Sequence, residues 1–261
     1  MNIVVCVKQV PEPTGTNQIN PESLRIQRDG IDAVLDPADE FGVEAALQLA
    51  EAHPGSTVTV VSMGPANAIE ALRRGALARG ADVGILITDD ALAGSDTLAT
   101  AKVLAAAIKT VQPDLILCAT ESTDAYTGMV PGGIAQILNM PLLSFAKKLT
   151  VSNGKAIIQR QTAGGYQTVE AVLPVVVTVT GSINTPRYPA LKGIMQAKKK
   201  PVAQFTASKL GLSADQVGEK GAKEKVVSWT PAETRQAGTI IKDDGTAVEQ
   251  IVTYLASIKV I

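Results

Sequence analysis

The feature that most constrains this chain is an exchange between two hydrophobic periods across its first half. Apolar, β-branched runs at Asn2–Val7, Thr57–Met63, Val83–Ile87 and Leu115–Ala119 alternate with stretches whose apolar residues recur every three or four positions. Strands separated by helices of roughly 10 to 15 residues predict a parallel sheet with crossover helices on both faces. The run Leu115-Ile-Leu-Cys-Ala119 has no polar face, as expected of a strand covered on both sides. Asp36-Pro37-Ala38-Asp39 opens the first helix, with Asp36 as N-cap, Pro37 in the first turn, and Asp39 and Glu40 facing the positive end. Its apolar side is Phe41, Ala45, Leu49 and Ala52. A second helix follows Gly64-Pro65 with Ile69, Leu72, Ala76 and Leu77 inward. A third is capped by Ser95-Asp-Thr-Leu98, and Val130–Leu138 forms a fourth. Between the first strand and the first helix, residues 11–34 are a polar excursion with Pro11, Pro13, Gly15 and Pro21, carrying a short hairpin around Leu24–Gln27.

The second half changes character. Phe145–Val151, Ala156–Thr162, Tyr166–Val172 and Val175–Thr180 are β segments, and Asn153-Gly154 and Gly164-Gly165 are hairpin turns between them. These strands extend the parallel sheet at its edge. From Pro201 the chain loses periodicity and becomes rich in Lys, Ala and Gly around its one tryptophan, Trp229. So long an irregular stretch suits an arm laid on a partner subunit better than a compact domain. Thr246–Ile258 closes the chain as a helix with Val248, Ile251, Val252 and Leu255 on one side. The expected division is an α/β nucleotide-binding domain over 1–200 and a C-terminal arm and helix over 201–261.

Charge and composition exclude several classes. A net charge of −1 lacks the basic excess of a nucleic-acid binder, and 3% aromatics leave few platforms for stacked bases. The longest apolar runs fall far short of the ~20 residues that span a bilayer. The first ten residues read as a strand and not as a signal peptide, so a cytoplasmic location is expected. Cys6 and Cys118 lack metal-ligand spacing, and no metal site is expected. The single histidine, His53, precedes Pro54-Gly55 at a helix-ending turn, a position that suits a dipole partner or a solvated residue.

Two stretches carry candidate function. In Ile183-Asn-Thr-Pro-Arg-Tyr-Pro-Ala-Leu-Lys-Gly-Ile-Met-Gln-Ala-Lys-Lys-Lys200, Pro186 and Pro189 forbid an interior strand. Leu191 then sits on an exposed turn, backed by a short helix-compatible segment with Ile194 and Met195. Lys198, Lys199 and Lys200 end it. An apolar anchor with charge behind it suits docking, and a solvated connection would look the same. The second stretch is Ala119-Thr-Glu-Ser-Thr-Asp124, running on through Ala125, Tyr126, Thr127, Gly128 and Met129 into the helix at Val130. Ligands of open parallel sheets collect beyond the carboxyl ends of the strands, and uncapped amides at a helix start suit a phosphate. Met63 and Ala38 would wall an adenine, with backbone near Cys6 reading its edge. Hydroxyl-rich loops also cap helices that bind nothing.

The segment Asn184–Lys200 closely resembles the recognition loop of the electron-transfer flavoprotein beta subunit. Arg160-Gln-Thr-Ala-Gly-Gly-Tyr-Gln-Thr-Val-Glu170, Leu173-Pro-Val-Val-Val-Thr178 and Met1-Asn-Ile-Val-Val-Cys-Val-Lys-Gln-Val10 resemble the same family, so the similarity spans nearly the whole chain. It implies a Rossmann-like, adenine-nucleotide-hydrolase-like α/β fold with helices on both faces, edge β-hairpins and an extended C-terminal arm. It implies an electron carrier without bond-making chemistry of its own, paired with an FAD-binding alpha subunit. An AMP would be held by Cys6, Asp36, Pro37, Ala38, Met63 and the loop Ala119, Thr120, Glu121, Ser122, Thr123, Asp124, Ala125, Tyr126, Thr127, Gly128, Met129 and Val130. Leu191 would anchor acyl-CoA and related dehydrogenases, with Pro189, Ile194, Met195 and Lys198–Lys200 around it, and electrons would pass on to a quinone oxidoreductase. The loop after Val10 and Ala38 would face the flavin.

This chain departs from the family's usual loop in lacking side-chain phosphate donors near Val130-Pro131, so backbone amides and Thr127 must compensate. A subgroup that splits electron pairs holds a second FAD here. Its Asp-x-x-Thr is present as Asp124–Thr127, but its Val-Gly-Pro-Glu is not, which favours AMP. A free-standing ATP-binding stress-type module would share the α/β half but not residues 201–242. An ATP pyrophosphatase-type ligase would need a phosphate loop where Lys8-Gln-Val-Pro11 stands, and a dinucleotide dehydrogenase would need Gly-x-Gly-x-x-Gly at the first βα turn.

Overall fold

The computed structural model describes residues 1–12, 19–28, 30–231 and 238–261. Pro13 and Gly15 of the polar excursion lie outside them. The chain forms two compact units, Met1–Val227 and Ser228–Ile261.

In the first unit the elements follow in order: β1 (Asn2–Cys6), β2 (Gln9–Pro11), β3 (Ile19–Asn20), β4 (Arg25–Ile26), β5 (Ala33–Leu35), α1 (Pro37–Ala52), β6 (Thr57–Met63), α2 (Ala68–Ala71), β7 (Val83–Ile87), α3 (Thr97–Lys109), β8 (Leu115–Ala119) and α4 (Val130–Leu138). Then come β9 (Leu142–Ser152), β10 (Lys155–Thr162), β11 (Gly165–Val172), β12 (Val175–Val179), α5 (Leu191–Ala197), β13 (Val202–Phe205) and α6 (Gly218–Gly221). The second unit contains α7 (Ala247–Ser257).

The main sheet runs β11-β10-β9-β12-β8-β1-β6-β7-β13. Every neighbouring pair from β9 to β13 is parallel, and β10 and β11 add an antiparallel hairpin at one edge. Alternate residues of the inner strands serve two separate cores. Ile3, Val5, Val58, Val60, Leu115 and Leu117 face α1, α2 and α5, whereas Val4, Cys6, Val61, Ile116 and Cys118 face α3 and α4. Expected helices on both faces and edge hairpins are therefore present. At the Asn153-Gly154 turn both residues have positive φ, 50° and 71°, which a two-residue hairpin with right-twisted strands requires.

Local chemistry sets the helix starts. The Asp36 carboxylate accepts from the Ala38 amide at 2.9 Å, and within the expected Ser95–Leu98 cap it is Asp96 that caps α3, accepting from Ala99 at 2.8 Å. After α2 the chain continues as a π-helical turn, Leu72–Leu77. Leu72, Ala76 and Leu77 all point inward there, as their spacing predicts. The regular run after Pro201 goes further than its composition indicates. Residues Val202–Phe205 pair in register with Gly84–Ile87 at the sheet edge, and the first unit continues to Val227.

Candidate functional site

Strands β1 and β8 lie side by side, but the chain leaves β1 toward β6 and leaves β8 toward the β12 side. Such a reversal opens a crevice at the carboxyl ends. A cleft of about 1940 Å³ opens there, lined by Cys6, Lys8, Met63, Ala119, Glu121, Ser122, Ala125, Thr127, Gly128 and Val130 among others. Its far side is formed by the end of β7 and the start of α3, with Thr88, Asp89, Asp90 and Asp96.

The loop from Thr120 to Met129 is shaped by bonds at its back. Thr120 Oγ1 donates to the Val179 carbonyl at 3.0 Å, and the Thr123 amide donates to Asp36 Oδ2 at 2.8 Å. Asp36 is fully buried, so a single carboxylate caps α1 and holds the loop. Asp36, Pro37, Ala38, Thr120 and Thr123 thus stand behind the cleft wall and not among its lining residues. Gly128 has φ 61°, which favours a glycine, and no side chain caps α4 beyond it, so the first amides of that helix retain donor capacity. Tyr126 and Met129 are largely exposed and do not line the cleft.

Asp124 is the buried hinge of this region. Its carboxylate accepts from Lys8 Nζ at 2.6 Å and pairs with the Arg28 guanidinium. Burial works to raise its pKa, but the Lys8 charge and the bonds from Lys8 and Arg28 hold it below the usual carboxylate range. Asp39 behaves oppositely. Burial, and secondarily the neighbouring Asp36, push its carboxyl well above that range, although the Lys8 amide donates to it at 2.7 Å. Cys6 and Cys118 sit on adjacent strands in the floor, and the Cys118 thiol is pushed up by its bond to Cys6 and by burial. Arg28 and Asp39 were not legible as cleft residues. Arg28 arrives on the β3–β4 hairpin, and its meeting with Asp124 spans 96 positions.

The segment 183–200 packs on α1 and beside the π turn. Asn184 Nδ2 donates to the Phe41 carbonyl at 2.9 Å, Arg187 grips Glu44 and Glu51, and Arg79 Nε donates to the Arg187 carbonyl at 3.1 Å. Gly193 lets α5 close on the π turn, because a Cβ there would stand 2.2 Å from the Ala78 carbonyl oxygen. Leu191 is the first residue of α5 and not part of a turn. Tyr188, Leu191, Ile194 and Met195 are exposed around it, Leu191 at 74%, while Pro189 is half-buried. Lys198 and Lys199 are exposed, but Lys200 turns inward and donates to the carbonyls of Leu77, Gly80 and Ala81. Burial lowers its pKa. It closes the end of the π turn and is not part of a free cationic cluster.

A family profile described as the electron transfer flavoprotein domain matches residues 23–210. The electron transfer flavoprotein subunit beta of Mycobacterium leprae is 41% identical across all of this chain and 99% of its own length. The chain belongs to the electron transfer flavoprotein beta-subunit family. A subunit beta from Thermoanaerobacterium thermosaccharolyticum is 39% identical over the full length of both chains. Subunit CarD of the caffeyl-CoA reductase-Etf complex of Acetobacterium woodii is 36% identical over 98% of this chain and 97% of its own. Membership places the chain among electron-transport flavoproteins. Among the described residues no helix is long and apolar enough to cross a membrane, and no group of His, Cys, Asp and Glu is arranged to hold a metal ion.

Proposed function

We propose that this chain is the beta half of a heterodimeric electron carrier. An alpha subunit grips the FAD, and this chain holds a structural AMP and receives dehydrogenases. The flavin supplies the electron-carrying chemistry, and this chain's residues bind, orient and dock, without bond-making chemistry of their own. The observation that carries the reading is the α5 platform. An exposed leucine with Ile194, Met195 and Tyr188 beside it is held by a half-buried ion-pair clamp, so the anchor is presented in one geometry. Acyl-CoA and related dehydrogenases would dock there, and a quinone oxidoreductase would take the electrons onward. The arm from Ser228 would pack on the alpha subunit, its segment 232–237 lying outside the described residues.

The cleft's residues fit an adenine nucleotide. Met63, Cys6 and Leu92 offer apolar walls, and Lys8, Arg28 and the uncapped start of α4 offer donors. A second reading, with a second FAD in the cleft, is favoured by one observation: the cleft's volume of about 1940 Å³ exceeds the ~300–1,000 Å³ of ordinary ligand pockets.

Leu191→Ala tests the platform. Reduction of the heterodimer by an acyl-CoA dehydrogenase should slow about tenfold or more, as for loss of a central interface anchor. Flavin content should stay intact, and unchanged reduction removes the docking role.

A further inference from the structure

The cleft's charge is arranged unevenly. At the β1/β8 end, Asp124 lies behind the wall with its side chain 2% exposed, and Lys8 and Arg28 stand in front of it at 37% and 43%. Asp124 is not among the lining residues, whereas both cations are. A buried carboxylate thus fixes two cationic heads at the cleft surface. Lys8 Nζ also donates to Ser122 Oγ at 3.3 Å. The Arg28 guanidinium meets Asp124 through Nη2, and a planar guanidinium fork carries five N–H donors in all. The opposite end is lined by charges of both signs, Asp89, Asp90, Asp96, Glu219 and Glu224 with Arg25, Lys223 and Lys225, and backbone amides of Ala91, Ala99, Ala207 and Lys223 bind and hold Asp89 and Asp96. Glu121, on the Asp124 loop, is exposed and screened by solvent.

An anionic group entering this cleft meets, at the β1/β8 end, two cationic heads fixed by a buried carboxylate. Arg28 has a further property. The hairpin that carries it, Ile19–Arg28, makes one hydrogen-bonded link to the rest of the chain among the described residues, the Arg28–Asp124 pair. The Arg25 guanidinium rests against Gly94 on the far wall, so the hairpin bridges the cleft.

We infer that Arg28, positioned by Asp124 and assisted by Lys8, reads the phosphate of the ligand in this cleft and distinguishes a nucleotide from the corresponding nucleoside. This rests on the adenine-nucleotide reading of the cleft, and it assigns the phosphate end to side chains. Asp124 is a positioning residue, and Arg28 is the group that touches the ligand.

The test is calorimetric titration of the nucleotide-stripped heterodimer with AMP, adenosine and pyrophosphate, in the wild type, Arg28→Gln and Arg28→Lys. Wild type should prefer AMP to adenosine by about tenfold or more, the scale of one charge-assisted contact. Arg28→Gln should remove most of that preference by weakening AMP alone, and Arg28→Lys should restore part of it. An AMP-to-adenosine ratio unchanged in Arg28→Gln overturns the inference, as does an equal loss for both ligands, which would make the hairpin a cover without a charge-reading role. If neither AMP nor adenosine binds wild type, the nucleotide reading fails. Pyrophosphate then decides: binding that Arg28→Gln abolishes upholds an anion-reading Arg28, and binding that is absent or indifferent to the substitution overturns it.

Discussion

Arg187 grips both oxygens of the Glu44 carboxylate, Nε to Oε2 at 2.7 Å and Nη2 to Oε1 at 3.0 Å, across 143 positions of sequence. The Arg187 amide also donates to Oε2 at 3.2 Å, and Gln48 Nε2 donates to Oε1 at 2.8 Å. Burial of Glu44 works to raise its pKa, but the Arg187 bonds outweigh it and hold the carboxyl low. This pair fastens the segment 183–200 to α1, so α5 is tied to the same helix whose N-cap, Asp36, holds the Thr120–Met129 loop.

Arg187→Ala should therefore act on both stability and docking. We expect a loss of about 1–2 kcal/mol in urea unfolding, less than for a fully buried pair because the Arg187 side chain is 36% exposed. Limited proteolysis should cut first between residues 183 and 200. Unchanged stability together with unchanged proteolysis would mean that the clamp does not hold the platform.

The three lysines that end the segment should separate by role. Lys198→Gln with Lys199→Gln should leave unfolding within ~0.5 kcal/mol and lower the association rate with a dehydrogenase chiefly at low salt. Lys200→Gln should do the reverse, costing about 1–3 kcal/mol because three carbonyls lose a shared donor. Equal effects from the two sets would contradict the inward placement of Lys200.

Asp39 gives a pH dependence of unusual sign. Its folded pKa is raised, so above the ordinary carboxylate pKa of 3.8 the folded state keeps a proton that the unfolded state releases. Stability therefore falls as pH rises through that window, with a slope of at most ~1.4 kcal/mol per pH unit from one proton. Glu44, Asp96 and Asp124 are lowered and act on the acid side, where their contribution is lost as pH falls. Asp39→Asn keeps an oxygen for the Lys8 amide and should flatten the decline above 3.8 while leaving the acid limb in place. A decline as steep as wild type would mean that Asp39 is not its source.

Much of this was legible because the deciding interactions are local. Asp36 as N-cap, the Val130–Leu138 helix and the Asn153-Gly154 turn each depend on neighbours within a few residues. What escaped was non-local. β13 is four residues after a proline with two exposed positions, and only its pairing with β7 makes it a strand. Lys200 looks like its two neighbours in sequence, and its inward turn depends on carbonyls about 120 positions away. Arg28 is one cation in a polar excursion, and nothing adjacent marks Asp124 as its partner.

The central claim is most directly tested by acid release and quantification of FAD and AMP from this chain, purified alone and with its alpha subunit. The account predicts one FAD and one AMP per heterodimer and no stoichiometric flavin on the isolated chain. A flavin retained by this chain alone would contradict it, and two FAD without AMP in the heterodimer would overturn the assignment of the cleft.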